Sequence, residues 1–216
     1  EPRQAPEMRY RTWTGEGALI DTQLLTLTLL WASWCQPCLQ EMALLAKQRA
    51  ALEKAGIQII ALNIEEAQAS IEGGDAPPVA TLQKALKKVN WPFASGRATP
   101  RVVADLDDAQ RAILYAQDAL PLPSSFLWYQ GQLISFSKGA ITLEDLVADA
   151  SRLGKPPSKN PDHAVPFPGR WSTDGFVTNP VAIARVYLED GHTDAAREYL
   201  QDALNKVDGD PRRQQL

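Results

Sequence analysis

Two rhythms of apolar residues organise this chain. Leu24-Leu-Thr-Leu-Thr-Leu-Leu-Trp31 is almost continuously apolar and β-favouring, which predicts a strand buried on both faces. Beyond it, Leu39, Met42, Leu45 and Leu52 predict a helix from Gln36 to Ala55, stopped by Gly56. Gly56 to Ile64 is apolar and β-branched again, so strand, helix and strand form a βαβ unit with a parallel pair. Glu65 and Glu66 follow, and Ala67 to Pro78 reads as a loop, with Gly73-Gly74-Asp75 and Pro77-Pro78. Val79 to Val89 is helical, with Leu82, Leu86 and Val89 on one face, and Phe93 to Arg97 is a short strand or irregular. Thr99 and Pro100 open a helix reaching about Gln117. Ser124–Tyr129, the Gln130-Gly131 turn and Gln132–Ser137 make a β-hairpin. Thr142 caps a closing helix to Leu153, with Asp145 as its capping-box partner and Gly154 as its stop. Ahead of all this, Met8 to Trp13 alternates weakly like a short edge strand before a Gly15-Glu16-Gly17 turn.

The character changes after residue 154. Residues 155–178 are rich in Pro, Gly and polar side chains, a linker or an extended wrap. Phe167, Trp171 and Phe176 predict that it packs against something. Residues 179–216 read as two helices parted by Gly191-His192-Thr193. Ala184, Tyr187, Gly191, Ala196, Leu200 and Ala203 fall where a tetratricopeptide repeat places its packing residues. As a plain helical hairpin the segment needs no function; as a repeat it offers a surface to a protein partner. The expected division is 1–154, 155–178 and 179–216. A net charge of −4 and an isoelectric point near 5.3 argue against nucleic acid or an anionic membrane as partner. No apolar run is long enough to span a bilayer, and Glu1-Pro-Arg-Gln4 is no signal peptide. The chain is expected to be soluble, a mature form or a piece of something longer.

The chemistry lies in Trp31-Ala-Ser-Trp-Cys-Gln-Pro-Cys38. Cys35 and Cys38 are the only cysteines, set three apart at a strand-to-helix junction. There the unpaired N–H groups and the helix dipole favour a thiolate at Cys35. A structural disulfide gains little from so short a loop. A zinc site needs two more ligands, and His163 and His192 lie far downstream. Both remain as rivals to a redox-active dithiol. On the dithiol reading Cys35 attacks and Cys38, one turn in, resolves the mixed disulfide. Gln36 and Pro37 between them offer no cation, so the couple leans toward reductant. Trp34 flanks the sulfurs as apolar cover or as a core residue. No cofactor and no metal is expected.

The Trp-Cys-Gln-Pro-Cys stretch resembles the Trp-Cys-x-Pro-Cys motif of the thioredoxin-fold proteins of the TlpA/ResA-like (thiol:disulfide interchange) group. Pro121-Leu-Pro-Ser-Ser-Phe-Leu127 is similar to that group's Pro-Leu-Pro-Thr-Thr-Phe-Leu stretch, and Ala61-Leu-Asn-Ile-Glu-Glu66 to its strand end bearing a buried glutamate. The resemblance covers roughly Leu24 to Leu153. It implies an α/β thioredoxin-like three-layer fold, a central mixed sheet flanked by helices, here with a small C-terminal α-helical appendage. It also implies a β-hairpin ahead of the core, a cis Pro123 beside the cysteines, and a free Leu122 backbone to pair with an extended substrate. The buried Asp that thioredoxin-type proteins place six positions before the first cysteine is absent, since that position is Leu29. Glu66 is the expected substitute as proton acceptor, with Glu65 as the alternative.

The expected protein is thus a thiol:disulfide oxidoreductase reducing protein disulfides, re-reduced by an upstream thiol donor. The resemblance implies an extracytoplasmic location. Two rivals stand beside it: an oxidase or isomerase using the same cysteines, and a non-catalytic binding module of a larger repeat protein.

Overall fold

The computed structural model describes residues 7–114, 120–151, 153, 170–172, 180–189 and 191–207. Two short strands come first, β1 (Arg9–Arg11) and β2 (Gly17–Leu19). Strand β3 (Thr26–Trp31) leads into helices α1 (Gln36–Lys47) and α2 (Arg49–Lys54), and then strand β4 (Gln58–Asn63). Helices α3 (Glu65–Glu72) and α4 (Val79–Lys88), strand β5 (Ala94–Arg97) and helix α5 (Pro100–Leu114) follow. The hairpin β6 (Ser124–Tyr129) and β7 (Gln132–Lys138), helix α6 (Leu143–Ala150), strand β8 (Arg170–Ser172) and helices α7 (Pro180–Glu189) and α8 (Thr193–Val207) complete the described elements.

The strands form one mixed sheet in the order β2-β1-β5-β4-β3-β6-β7-β8. β3 lies inside it, parallel to β4 and antiparallel to β6, and all its residues are buried. That is the arrangement its unbroken apolar run dictates, because neither face meets water. On one face Leu27, Leu29 and Trp31 meet Met42 and Leu45 of α1, Leu52 of α2, Leu82 of α4, Leu127 of β6 and Leu146 of α6. On the other, the Trp128 Nε1–H donates to Thr28 Oγ1 at 3.2 Å, and Phe126 stacks on Phe136 at 4.9 Å. Each buried leucine contributes about 1.5–3 kcal/mol. The hairpin ahead of the core is present as β1 and β2. β1 reaches β5 through Arg11 and Arg97, and Gly96 permits it: a Cβ there would stand 2.5 Å from the Arg11 carbonyl oxygen.

Several expectations change. Residues 65–72 are helical, not loop. Glu65 and Glu66 complement the helix N-terminus, Ala67 is buried, and only at Gly73, with φ +77°, does the chain leave the helix. The helix expected from 36 to 55 breaks into α1 and α2 at Gln48. The closing helix ends at Ala150 rather than Leu153. Part of the expected linker, Arg170–Ser172, is a strand paired with β7, with Trp171 opposite Phe136. The rest of 155–178 lies outside the described residues, as does the expected continuation of α5 past Leu114.

The chain divides into two compact units, residues 1–107 with 119–175, and residues 108–118 with 176–216. The first holds the whole sheet. The second holds the α7–α8 hairpin, in which Ala184 and Ala196 are buried. Among the described residues no helix is long and apolar enough to cross a membrane.

The capping box of α6 is formed as expected, with Thr142 Oγ1 accepting from the Asp145 N–H and Asp145 Oδ2 accepting from the Thr142 N–H, each at 3.2 Å. Thr142→Ala is expected to lower stability by about 1 kcal/mol. Urea unfolding of the two proteins measures it.

Candidate active site

β3 ends at Trp31, and the chain turns at once, the Cys35 N–H donating to the Ala32 carbonyl at 3.1 Å. Cys35 is the N-cap of α1, with Gln36 and Pro37 as the first two helical residues. Proline is tolerated there because first-turn N–H groups have no partner within the helix. The Cys38 N–H donates to Cys35 Sγ at 3.2 Å, so one helix-terminal donor is aimed at the outer sulfur. The two sulfurs are joined in a disulfide, with Cα atoms 5.3 Å apart. Cys35 is 4% exposed and Cys38 fully covered. The helix dipole and the N–H donor both favour negative charge on Cys35 once the bond is reduced.

Trp34 is 61% exposed, so it is not a core residue. With the exposed Gln36 and Pro37 it forms the solvent-facing rim of the disulfide. The Leu122-Pro123 bond is cis, Pro123 is buried and Leu122 half-buried. Leu30 pairs with Ser124, so one step further along the antiparallel ladder Pro123 stands level with Trp31, where the redox turn begins. Strand pairing thus brings the two motifs, far apart in sequence, to one edge of the sheet.

The expected proton acceptor is placed differently. Glu66 accepts from Arg11 at 2.5 Å through one oxygen and from Arg97 at 2.6 Å through the other. Both oxygens are taken by guanidinium groups, which corrects the expectation of a carboxylate buried against Cys38. Glu65 turns instead to the redox loop, accepting from the Ser33 N–H at 2.6 Å, Ser33 Oγ at 3.0 Å and Asn63 Nδ2 at 2.8 Å.

A buried acid on the cysteines' own helix is Glu41. It is 1% exposed and lies three residues after Cys38, on the buried stripe of α1 with Met42 and Leu45. One oxygen accepts from the Ile141 N–H at 2.6 Å, and the other is buried without a hydrogen-bond partner. Burial pushes its pKa from 4.5 up to about 7, against the smaller lowering effect of the Ile141 N–H. The signal was in the sequence: positions 38, 41, 42 and 45 form one helical face, and a carboxylate on an apolar face demands a reason.

No protein-family profile matches the chain. It is 30% identical over 127 residues to the thiol-disulfide oxidoreductase ResA of Bacillus subtilis, a match covering 58% of this chain and 59% of that one. To the protein of the same name from Geobacillus kaustophilus it is 26% identical over 141 residues, covering 65% and 64%. The chain therefore spans less than two thirds of the length of these relatives. In structure it is similar to a thiol:disulfide interchange protein of the thioredoxin family from Chlorobium tepidum, with a TM-score of 0.52 at 15% identity over 70% of this chain and 95% of that one. The sheet, the Cys-Gln-Pro-Cys turn and the cis proline define a thioredoxin fold. Over the matched region the chain is similar in sequence to these thiol-disulfide oxidoreductases.

Proposed function

We propose that the protein is a thiol:disulfide oxidoreductase that reduces protein disulfides outside the cytoplasm. One observation carries the reading: an outer cysteine capping a helix N-terminus, with a covered partner one turn in and a buried acid one turn further. In the reduced protein the Cys35 thiolate attacks a substrate disulfide, breaking it and releasing one substrate thiolate, which takes a proton from water. Cys38 then gives its proton to Glu41 and attacks Cys35 Sγ. The second substrate thiolate leaves, and the Cys35–Cys38 disulfide forms. An acid poised near neutral pH suits that transfer. The enzyme has lost two electrons to the substrate, so an upstream dithiol must restore it.

Trp34, Gln36, Pro37 and Leu122 form the surface that meets an extended substrate segment, the Leu122 backbone offering it a strand-like partner. Residues 179–216 serve as a separate tetratricopeptide-like module that presents a surface to a protein partner. The reducing direction rests on Gln36 and Pro37, which place no cation beside the thiolate. The reduction potential, from equilibration with a dithiol of known potential, is expected on the order of −250 mV. A value near about −120 mV makes the oxidase reading correct.

A further inference from the structure

The redox turn is tied down from below by a group that the dithiol chemistry leaves unused. Ser33, two residues before Cys35, gives both its N–H and its hydroxyl to the Glu65 carboxylate, at 2.6 and 3.0 Å. Glu65 is itself fixed on its other side. Asn63, fully buried at the end of β4, donates through Nδ2 to Glu65 at 2.8 Å and accepts the Glu65 N–H through Oδ1 at 3.1 Å. The backbone completes the frame: the Ile64 N–H donates to the Trp31 carbonyl at 3.1 Å, and the Ala98 N–H to the Asn63 carbonyl at 2.8 Å. Three adjacent strand ends, those of β3, β4 and β5, therefore meet at one carboxylate-bearing helix start. Bonds to a charged acceptor are the stronger kind, and Ser33 makes two of them in the only stretch between β3 and α1.

We propose that Glu65 is a positioning residue of the redox turn, holding Ser33 so that Trp34 and Cys35 stand ready for attack on a substrate disulfide. Through that latch a negative charge is also fixed beside the stretch that carries the attacking sulfur. Among the described residues, charged groups near this edge include Glu66, Arg11 and Arg97, paired among themselves, Lys138 opposite Ser124 on β7, and the buried Glu41 of α1. Removing the Glu65 charge therefore tips the balance toward the thiolate.

The inference rests on Cys35 being the attacking thiol, and wild-type protein tests that alone: alkylation of the reduced form that labels Cys38 first defeats the assignment before any variant is made. The test proper uses E65A and E65Q in the full chain. Glutamine can keep the contacts, its carbonyl accepting from the Ser33 N–H and Asn63 while its amide donates to the Ser33 hydroxyl; alanine keeps none. Misplacement of a reacting group by an ångström costs up to about a hundredfold, so disulfide exchange in E65A is expected to fall about tenfold or more. E65Q is expected to stay within a few-fold of wild type, with the midpoint of Cys35 alkylation against pH moved toward acid. Urea unfolding of the oxidised proteins checks that both variants are folded. Exchange in E65A within twofold of wild type overturns the proposal. So does a loss in E65Q as deep as that in E65A, because the restored contacts then count for nothing.

Discussion

Cys38→Ser is expected to attack a disulfide and then fail to let go. Cys35 keeps its place at the N-terminus of α1 and gains accessibility once the bond to its partner is gone. Without the second thiol the mixed disulfide has no intramolecular exit, so a covalent adduct with a disulfide-bearing protein accumulates. Catalytic turnover falls by on the order of a thousandfold or more, because the two thiols act as a unit. Non-reducing electrophoresis after mixing with an oxidised protein shows the adduct, and a reductant dissolves it. Cys35→Ser is expected to give neither adduct nor turnover. An adduct from Cys35→Ser but none from Cys38→Ser would reverse the two roles. Turnover surviving both changes would leave the dithiol without a part in the activity.

Glu41→Gln is expected to produce a more stable and a slower protein. The folded-state pKa of Glu41 is raised from 4.5 to about 7, so the folded state holds this proton more tightly than the unfolded chain does. The resulting stability is fully present below pH 4.5 and is lost as the pH rises to about 7. Above that, the wild type carries the whole cost of a charge beneath the sheet, on the order of 3 kcal/mol. Glutamine does not titrate, and its carbonyl can still accept from the Ile141 N–H. Urea unfolding of the oxidised proteins should therefore give the variant an advantage at pH 8 that vanishes near pH 4. Decay of the mixed disulfide should slow at the same time, because Cys38 has lost its proton acceptor. An unchanged decay rate would remove Glu41 from the chemistry while leaving the stability result intact.

What could be read from the chain beforehand follows the range of the signals. Strand β3, the cysteine turn, the hairpin and the cap at Thr142 are encoded within a few residues of themselves, as apolar runs, turn residues or caps. Each stands where expected. The acids were harder. Glu66 ends an apolar strand and looked inward by position, yet Arg97 of β5 and Arg11 of β1 claim it, and neither partnership is visible before the strands are set side by side. Glu41 was legible in principle as a carboxylate on an apolar helical face, but polar neighbours such as Gln40 blur that stripe. Helix α3 was hidden by the glycines and prolines that follow it. Strand β8 was hidden because three residues among prolines carry no periodicity, and only pairing with β7 makes them a strand.

Among the described residues the two outermost strands, β2 and β8, are each three residues long. A sheet rim displays unpaired N–H and C=O groups, and a long flat rim recruits any extended chain that drifts past. On the activity proposed above, the protein works among extended chains with many free strands. Had β7, at seven residues, been left as the outer strand, it would have offered them a template unrelated to the cysteines. With short strands at both described borders, the lateral route to self-association is narrow, and on the proposed function an incoming chain engages at Trp34 and Leu122 instead.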